Sequence, residues 1–153
     1  MFFTHKSNQN LFVLITVASL GYFVDIYDLV LFSVIRVQSL KGIGVPDRDL
    51  LPVGVNLINA QMLGMLVGGV LWGILDKKGR LKVLFGSIIM YSLANIANGF
   101  VTTVPAYMII RFIAGVGLAG ELGAGITLVA ESMSKEKRGY GTMIVAAIGL
   151  LGA

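Results

Sequence analysis

Apolar residues run along this chain in long blocks, interrupted by short polar or glycine-rich stretches. The first block extends over residues 11–37, the second over 52–75, the third over 83–101 and the fourth over 106–130. Each is close to the roughly 20 apolar residues that a helix needs to cross a bilayer. A fifth block, 140–153, falls short of that length, so the chain is expected to stop inside a fifth helix and to be a fragment. The pattern predicts an all-α membrane protein, with a polar cytoplasmic leader over 1–10 and an incomplete N-terminal transmembrane bundle over 11–153. The first block is too long for the apolar core of a signal peptide and carries Asp25 and Asp28, which makes it a retained helix.

The interruptions have their own chemistry. Gly42, Gly44 and Pro46 break the chain after the first block and predict an external loop. Asp76–Arg80, DKKGR, predicts a tight charged turn, with Gly79 suited to a left-handed helix C-cap. Charged residues make up 13% of the 153 positions against 56% hydrophobic; a soluble domain carries about 25% charged residues, so a soluble enzyme lacks the surface it would need. The absence of cysteine excludes disulfides and thiolate metal sites, and the lone His5 lies in the polar leader. No metal or cofactor site is expected. The net charge of +4 is explained by topology. The leader and the even loops hold Lys6, Lys77, Lys78, Arg80, Lys82, Lys135, Lys137 and Arg138, and the odd loops hold Arg36, Lys41 and Arg48. That bias puts the N-terminus and the even loops in the cytoplasm and requires no nucleic acid.

Arg111 and Glu121 lie inside the fourth apolar block. Charge at membrane depth is costly, and it is kept where it faces a cavity or a partner. Glycines alternate around them, Gly115 and Gly120 among these, while Gly64 and Gly68 are spaced one turn apart in the second helix. Small residues of this kind let helix backbones approach closely. Gly115–Gly120 also matches G-x-G-x-x-G, but a dinucleotide fingerprint needs a preceding strand, and here the glycines lie mid-span. Helix packing is the better assignment.

Depth arithmetic links the charges. Asp25 lies ~21 Å above the cytoplasmic start of the first helix, and Arg111 ~9 Å below the external start of the fourth, at 1.5 Å per residue. In a hydrocarbon core ~30 Å thick these are the same level. An Asp25–Arg111 pair would offset the cost of burying each charge, and protonating the Asp would release the Arg. Such a pair suits proton coupling; a static structural salt bridge is the plainer alternative. Asp28 is one turn above Asp25, and Glu121, ~24 Å down the fourth helix, needs a different partner; both are secondary candidates. Asn56, Asn59, Gln61 and Asn95 are candidate cavity-lining donors, or polar glue between helices.

Several of these residues fall in a recognisable order. GILDKKGRLK, residues 73–82, resembles the signature loop between the second and third helices of the major facilitator superfamily, whose D-[KR]-x-G-R core appears as Asp76, Lys77, Gly79 and Arg80. The pattern R-x-x-x-G-x-G-x-x-G-E from Arg111 to Glu121, followed by Glu131 and by Arg138 with Gly139, is similar to the metabolite:proton symporter branch and related sugar and organic-ion porters. GYFVDIYDLVLF in the first helix is similar to that branch's G-x-x-x-[ED]-x-Y-D-x-x-L-F, with Asp25 and Asp28 on its acidic positions. Ala114 stands where Gln is common, and Ser134 where Pro usually follows the Glu.

The resemblance implies a twelve-helix transporter of two six-helix halves, with this chain forming part of the first and a C-terminal half missing. Its partners would be a small-molecule substrate, protons and the lipid bilayer of a bacterial inner membrane. It also implies a cytoplasmic network of Asp76, Arg80, Glu131 and Arg138 that steadies the outward-facing state. The expected function is therefore secondary active transport of a small polar metabolite (an organic acid, amino acid, osmolyte or sugar), not enzymatic catalysis. A small non-transporting membrane protein for assembly or sensing is the alternative, and the reading frame beyond Ala153 discriminates between them.

Overall fold

The structure, a computed structural model, describes residues 4–134, 136 and 138–153, apart from the side chains of residues 4–11, 14 and 78. Lys135 and Lys137, counted above among the cytoplasmic cations, lie outside the described residues. Among the described residues five α-helices follow one another: α1 Thr4–Gly42, α2 Leu50–Leu75, α3 Arg80–Asn98, α4 Val104–Ser132 and α5 Arg138–Leu150. No strand occurs among the described residues. The chain is all-α, and its first four helices contain stretches long and apolar enough to cross a membrane.

Helix boundaries depart from the hydrophobic pattern where nothing stops a helix. Residues 4–10, expected as a polar leader, continue α1, because no Gly or Pro occurs before Gly21. At its other end α1 runs five residues past Val37 and closes in a Schellman motif. The Val45 N–H donates to the Leu40 carbonyl at 3.1 Å and the Gly44 N–H to that of Lys41 at 3.0 Å. Gly44, at φ 83°, supplies the left-handed residue that this motif requires, and Val45 packs on the apolar cluster containing Leu40. Gly79, expected in that role, does something else. It sits at φ 125°, ψ 116°, outside the left-handed helical well, and its carbonyl accepts from the N–H groups of Lys82 and Val83 to open α3. Pro105 falls in the first turn of α4, where its missing N–H costs nothing.

Two compact units result, one made of residues up to Val30 with Ala124–Ala153, the other of Leu31–Gly123. Within the first, Gly149 and Gly152 of the C-terminal stretch lie against Tyr22 and the Phe23 carbonyl of α1, and Gly141 lies against Met133 and Val129. Within the second, burial is periodic and inverted relative to a soluble helix. In α3 Val83, Ser87, Tyr91 and Ala94 are buried while Phe85, Ile89, Leu93 and Ile96 are exposed. In α2 the buried stripe is Leu57, Gln61, Gly64 and Gly68, and Leu63, Leu66, Val70 and Ile74 face outward. Small and polar residues inside with large apolar residues outside is the arrangement a hydrocarbon solvent selects.

The second unit is held by backbone approach. A side chain added at Gly64 would collide with the Phe112 carbonyl of α4, and one at Gly115 with that of Gln61 in α2. A Cβ at Gly68 would stand 2.5 Å from the Val116 oxygen and 2.7 Å from its Cα. Gly69, one residue on, has open space around it. Gly68→Ala should therefore lower stability by about 1–3 kcal/mol, the usual cost of overpacking, while Gly69→Ala should be neutral or slightly stabilising. Thermal midpoints of the detergent-solubilised variants would show the contrast; equal midpoints would contradict the close crossing of α2 and α4.

Candidate functional site

Arg111 and the packing glycines of the second unit meet at α4. Tyr107, Arg111, Ala114 and Leu118 recur at i, i+4, i+7 and i+11 and are all buried, so they form one inward stripe. Arg111 is only 2% exposed despite its charge. Its guanidinium carbon lies 3.5 Å from the centroid of the Phe32 ring on α1, a face-on cation–π contact. Such a contact is worth about 2 kcal/mol when desolvated. Tyr107, one turn from Arg111, meets the same ring edge-on, at 6.2 Å between centroids and 69° between planes. Phe32 is thus enclosed by two side chains of α4, and Phe32 and Tyr107 belong to an apolar cluster with Leu40, Leu50 and Leu57.

Below Arg111 the glycines bring α2 and α3 onto α4. A Cβ at Gly117 would lie 2.7 Å from the Tyr91 nitrogen of α3, and one at Gly120 2.6 Å from Ser87 Cβ and 2.7 Å from Trp72 Cδ1. Only a helix bare at these positions admits the indole of Trp72, whose Nε1–H donates to the Val116 carbonyl at 2.7 Å. Glu121, half-buried, follows Gly120 on this helix. Of the polar candidates, Gln61 is 2% exposed, Asn95 is half-buried, and Asn56 and Asn59 are exposed. These four do not share one environment.

The charged turn is ordered by its own ion pair. Asp76 Oδ2 accepts from Arg80 Nε at 3.1 Å, and both side chains are about two-thirds covered. In the first unit, Asp25 is 1% exposed and Asp28 is half-buried. Glu131 is exposed there, and Arg138 Nε–H donates to the Met133 carbonyl at 3.3 Å. Asp25 and Asp28 therefore belong to a different unit from Arg111 and Glu121, as Glu131 and Arg138 do from Asp76 and Arg80. Among the described residues no cluster of three acidic or histidine side chains could hold a metal.

Tyr107 and Trp72 carry these contacts without standing out in the sequence, and Phe32 closes the first-helix motif without being singled out as a site residue. Spacing could have found two of them: Phe32 continues the stripe of Asp25 and Asp28 at i+3 and i+7, and Tyr107 lies at i−4 from Arg111. Trp72 gave no local signal, since its partner is 44 residues away.

Five helices of this composition, a charged turn after α2 and a buried Arg in a glycine-rich α4 match a known transporter architecture along the sequence. The family model of the Major Facilitator Superfamily covers residues 11–153, and the chain belongs to that family. A Bacillus subtilis protein provisionally named niacin/nicotinamide transporter NiaP is 34% identical over 82% of this chain and 31% of its own length. A Haemophilus influenzae protein provisionally named a metabolite transport protein is 33% identical over 98% of this chain and 37% of its own. The sialic acid transporter NanX of Escherichia coli is 29% identical over 77% of this chain and 28% of its own. The chain thus spans about a third of the length of these curated relatives. No solved structure matches it.

The Asp76–Arg80 pair is partly solvated, so its energetic weight should be small. Asp76→Asn, which retains an oxygen acceptor for Arg80, should shift stability by less than about 1 kcal/mol. Chemical or thermal unfolding measures this directly; a loss of several kcal/mol would mean that the carboxylate is a structural keystone of the turn.

Proposed function

We propose that this chain forms the first part of a proton-coupled secondary transporter that carries a small polar metabolite across a bacterial inner membrane by alternating access. One observation carries the reading: Asp25 and Arg111, at 1% and 2% exposure, are buried in apolar helices of a chain from a transporter family. Buried ionisable residues in membrane helices mark ion and substrate pathways. Asp25 takes the proton, Arg111 supplies the cation that favours its charged form, and Asp28 and Glu121 contribute to substrate or proton handling. Asn56, Asn59, Gln61 and Asn95 are proposed as cavity donors, and Asp76, Arg80, Glu131 and Arg138 as the cytoplasmic network that biases the outward-facing state.

The substrate falls among organic acids, amino acids, osmolytes and sugars. Relatives named for niacin, benzoate and sialic acid favour the organic acids within that range. A C-terminal half completes the translocation path, and the N-terminus with the even loops lies in the cytoplasm.

Both parts of the reading can be measured in the full-length transporter that contains this chain. Cysteines replacing Lys77 should react with an impermeant thiol reagent only from the cytoplasmic side, and those replacing Lys41 only from outside. Labelling of position 77 in intact cells would invert the orientation. For coupling, Asp25→Asn in proteoliposomes should abolish accumulation driven by an imposed pH gradient while leaving counterflow, because the amide imitates a protonated Asp. Retained uphill accumulation would remove Asp25 from the coupling role.

A further inference from the structure

We propose that Phe32 is a positioning residue for Arg111, fixing the plane of its guanidinium through the transport cycle; this rests on the reading of Arg111 as a coupling residue. The observations are geometric. The guanidinium carbon stands over the ring, 3.5 Å from its centroid. Phe32, Tyr107 and Arg111 are each 2% exposed, which removes the water that would weaken the attraction. Tyr107, edge-on at 6.2 Å, holds the ring from a second direction and sits on the same α4 stripe as Arg111.

The chemistry of the contact suits a charge whose partners must change. A guanidinium directs its five N–H donors outward in its own plane. A positioning Asn or Gln would occupy one of those donors, whereas a ring engages the face and uses none of them. Stacking on Phe32 therefore sets the direction of the donors without competing for them. When a carboxylate partner is protonated, its attraction for the cation falls, and the ring face, which does not titrate, keeps the guanidinium in register. Loss of the ring should then act on turnover more than on substrate affinity.

A ring that merely fills space would be replaced by any side chain of its shape, and that difference is testable. In the full-length transporter, Phe32 is replaced by mono-, di- and trifluorophenylalanine, which keep the shape and drain negative charge from the ring face. Phe32→Trp, Phe32→Tyr and Phe32→Leu are made alongside. Uptake of the transported substrate, or counterflow of a labelled pool, is read with expression and thermal midpoint. The expected result is a stepwise fall in maximal rate with fluorination, reaching roughly tenfold, with KM changed by less than about twofold. Phe32→Trp and Phe32→Tyr should retain rate, and Phe32→Leu should match the trifluoro variant. A flat fluorination series beside an inactive Arg111→Ala overturns the positioning role alone. A fully active Arg111→Ala overturns the coupling reading and the positioning role with it. Rate and thermal midpoint that fall together in Phe32→Leu but stay level through the fluorination series also overturn the proposal, because the ring would then be a packing element.

Discussion

Close approach of α4 to its neighbours is the constraint on which the rest of the second unit depends. In hydrocarbon, apolar side chains gain nothing from leaving lipid, so helices associate through packing and hydrogen bonds between them. Gly64 and Gly68 on α2, answered by Gly115 on α4, let the two backbones meet with no side chain between. Gly117 and Gly120 turn other faces of the same helix to Tyr91, Ser87 and Trp72. The Trp72–Val116 hydrogen bond at 2.7 Å exists only because that approach is possible. Small residues are thus the condition for the polar contact.

The same packing bears on the buried cation. Arg111 is flanked along its stripe by Tyr107 and Ala114, and Phe32 of α1 covers its face. A guanidinium in such surroundings keeps part of its electrostatic stabilisation from a ring quadrupole, which no proton can neutralise. The Asp76–Arg80 pair is the contrasting case. It is an i,i+4 ion pair that lies partly in solvent, so water and salt weaken it. One charge is placed where its environment is fixed, and the other pair where its contact is easily exchanged.

What could be read in the sequence and what could not divides along a physical line. The all-α class, the four apolar spans and the family were legible, because each rests on patterns within a single helix or loop: run length, charge-poor blocks and the Asp76–Arg80 turn. The close-packed glycines could be read only as a tendency, since Gly68 and Gly69 are chemically identical and differ only in the face they occupy. Gly44 and Gly79 show the same limit. Both follow helices, but only Gly44 has an apolar residue behind it, Val45, that can fold back on the cluster around Leu40. The left-handed cap went to the position that tertiary packing supports. Trp72 was missed, and Phe32 was read only as the end of a motif, because aromatic residues in an apolar span resemble filler until their partners on another helix are known.

These features bear on how such a unit can move. Gly115 meets a backbone carbonyl of α2, and Gly117 a backbone nitrogen of α3. Sliding α4 by even a fraction of a turn would drive its side chains into those atoms. Backbone contacts cannot yield by rotamer change, as contacts between long side chains do. Any cycle that alters the surroundings of Arg111 must therefore carry α2, α3 and the first part of α4 together. Rigidity imposed by missing side chains is then compatible with the coupling role proposed for Arg111, in which the scaffold stays fixed and only the partners of the guanidinium edge exchange.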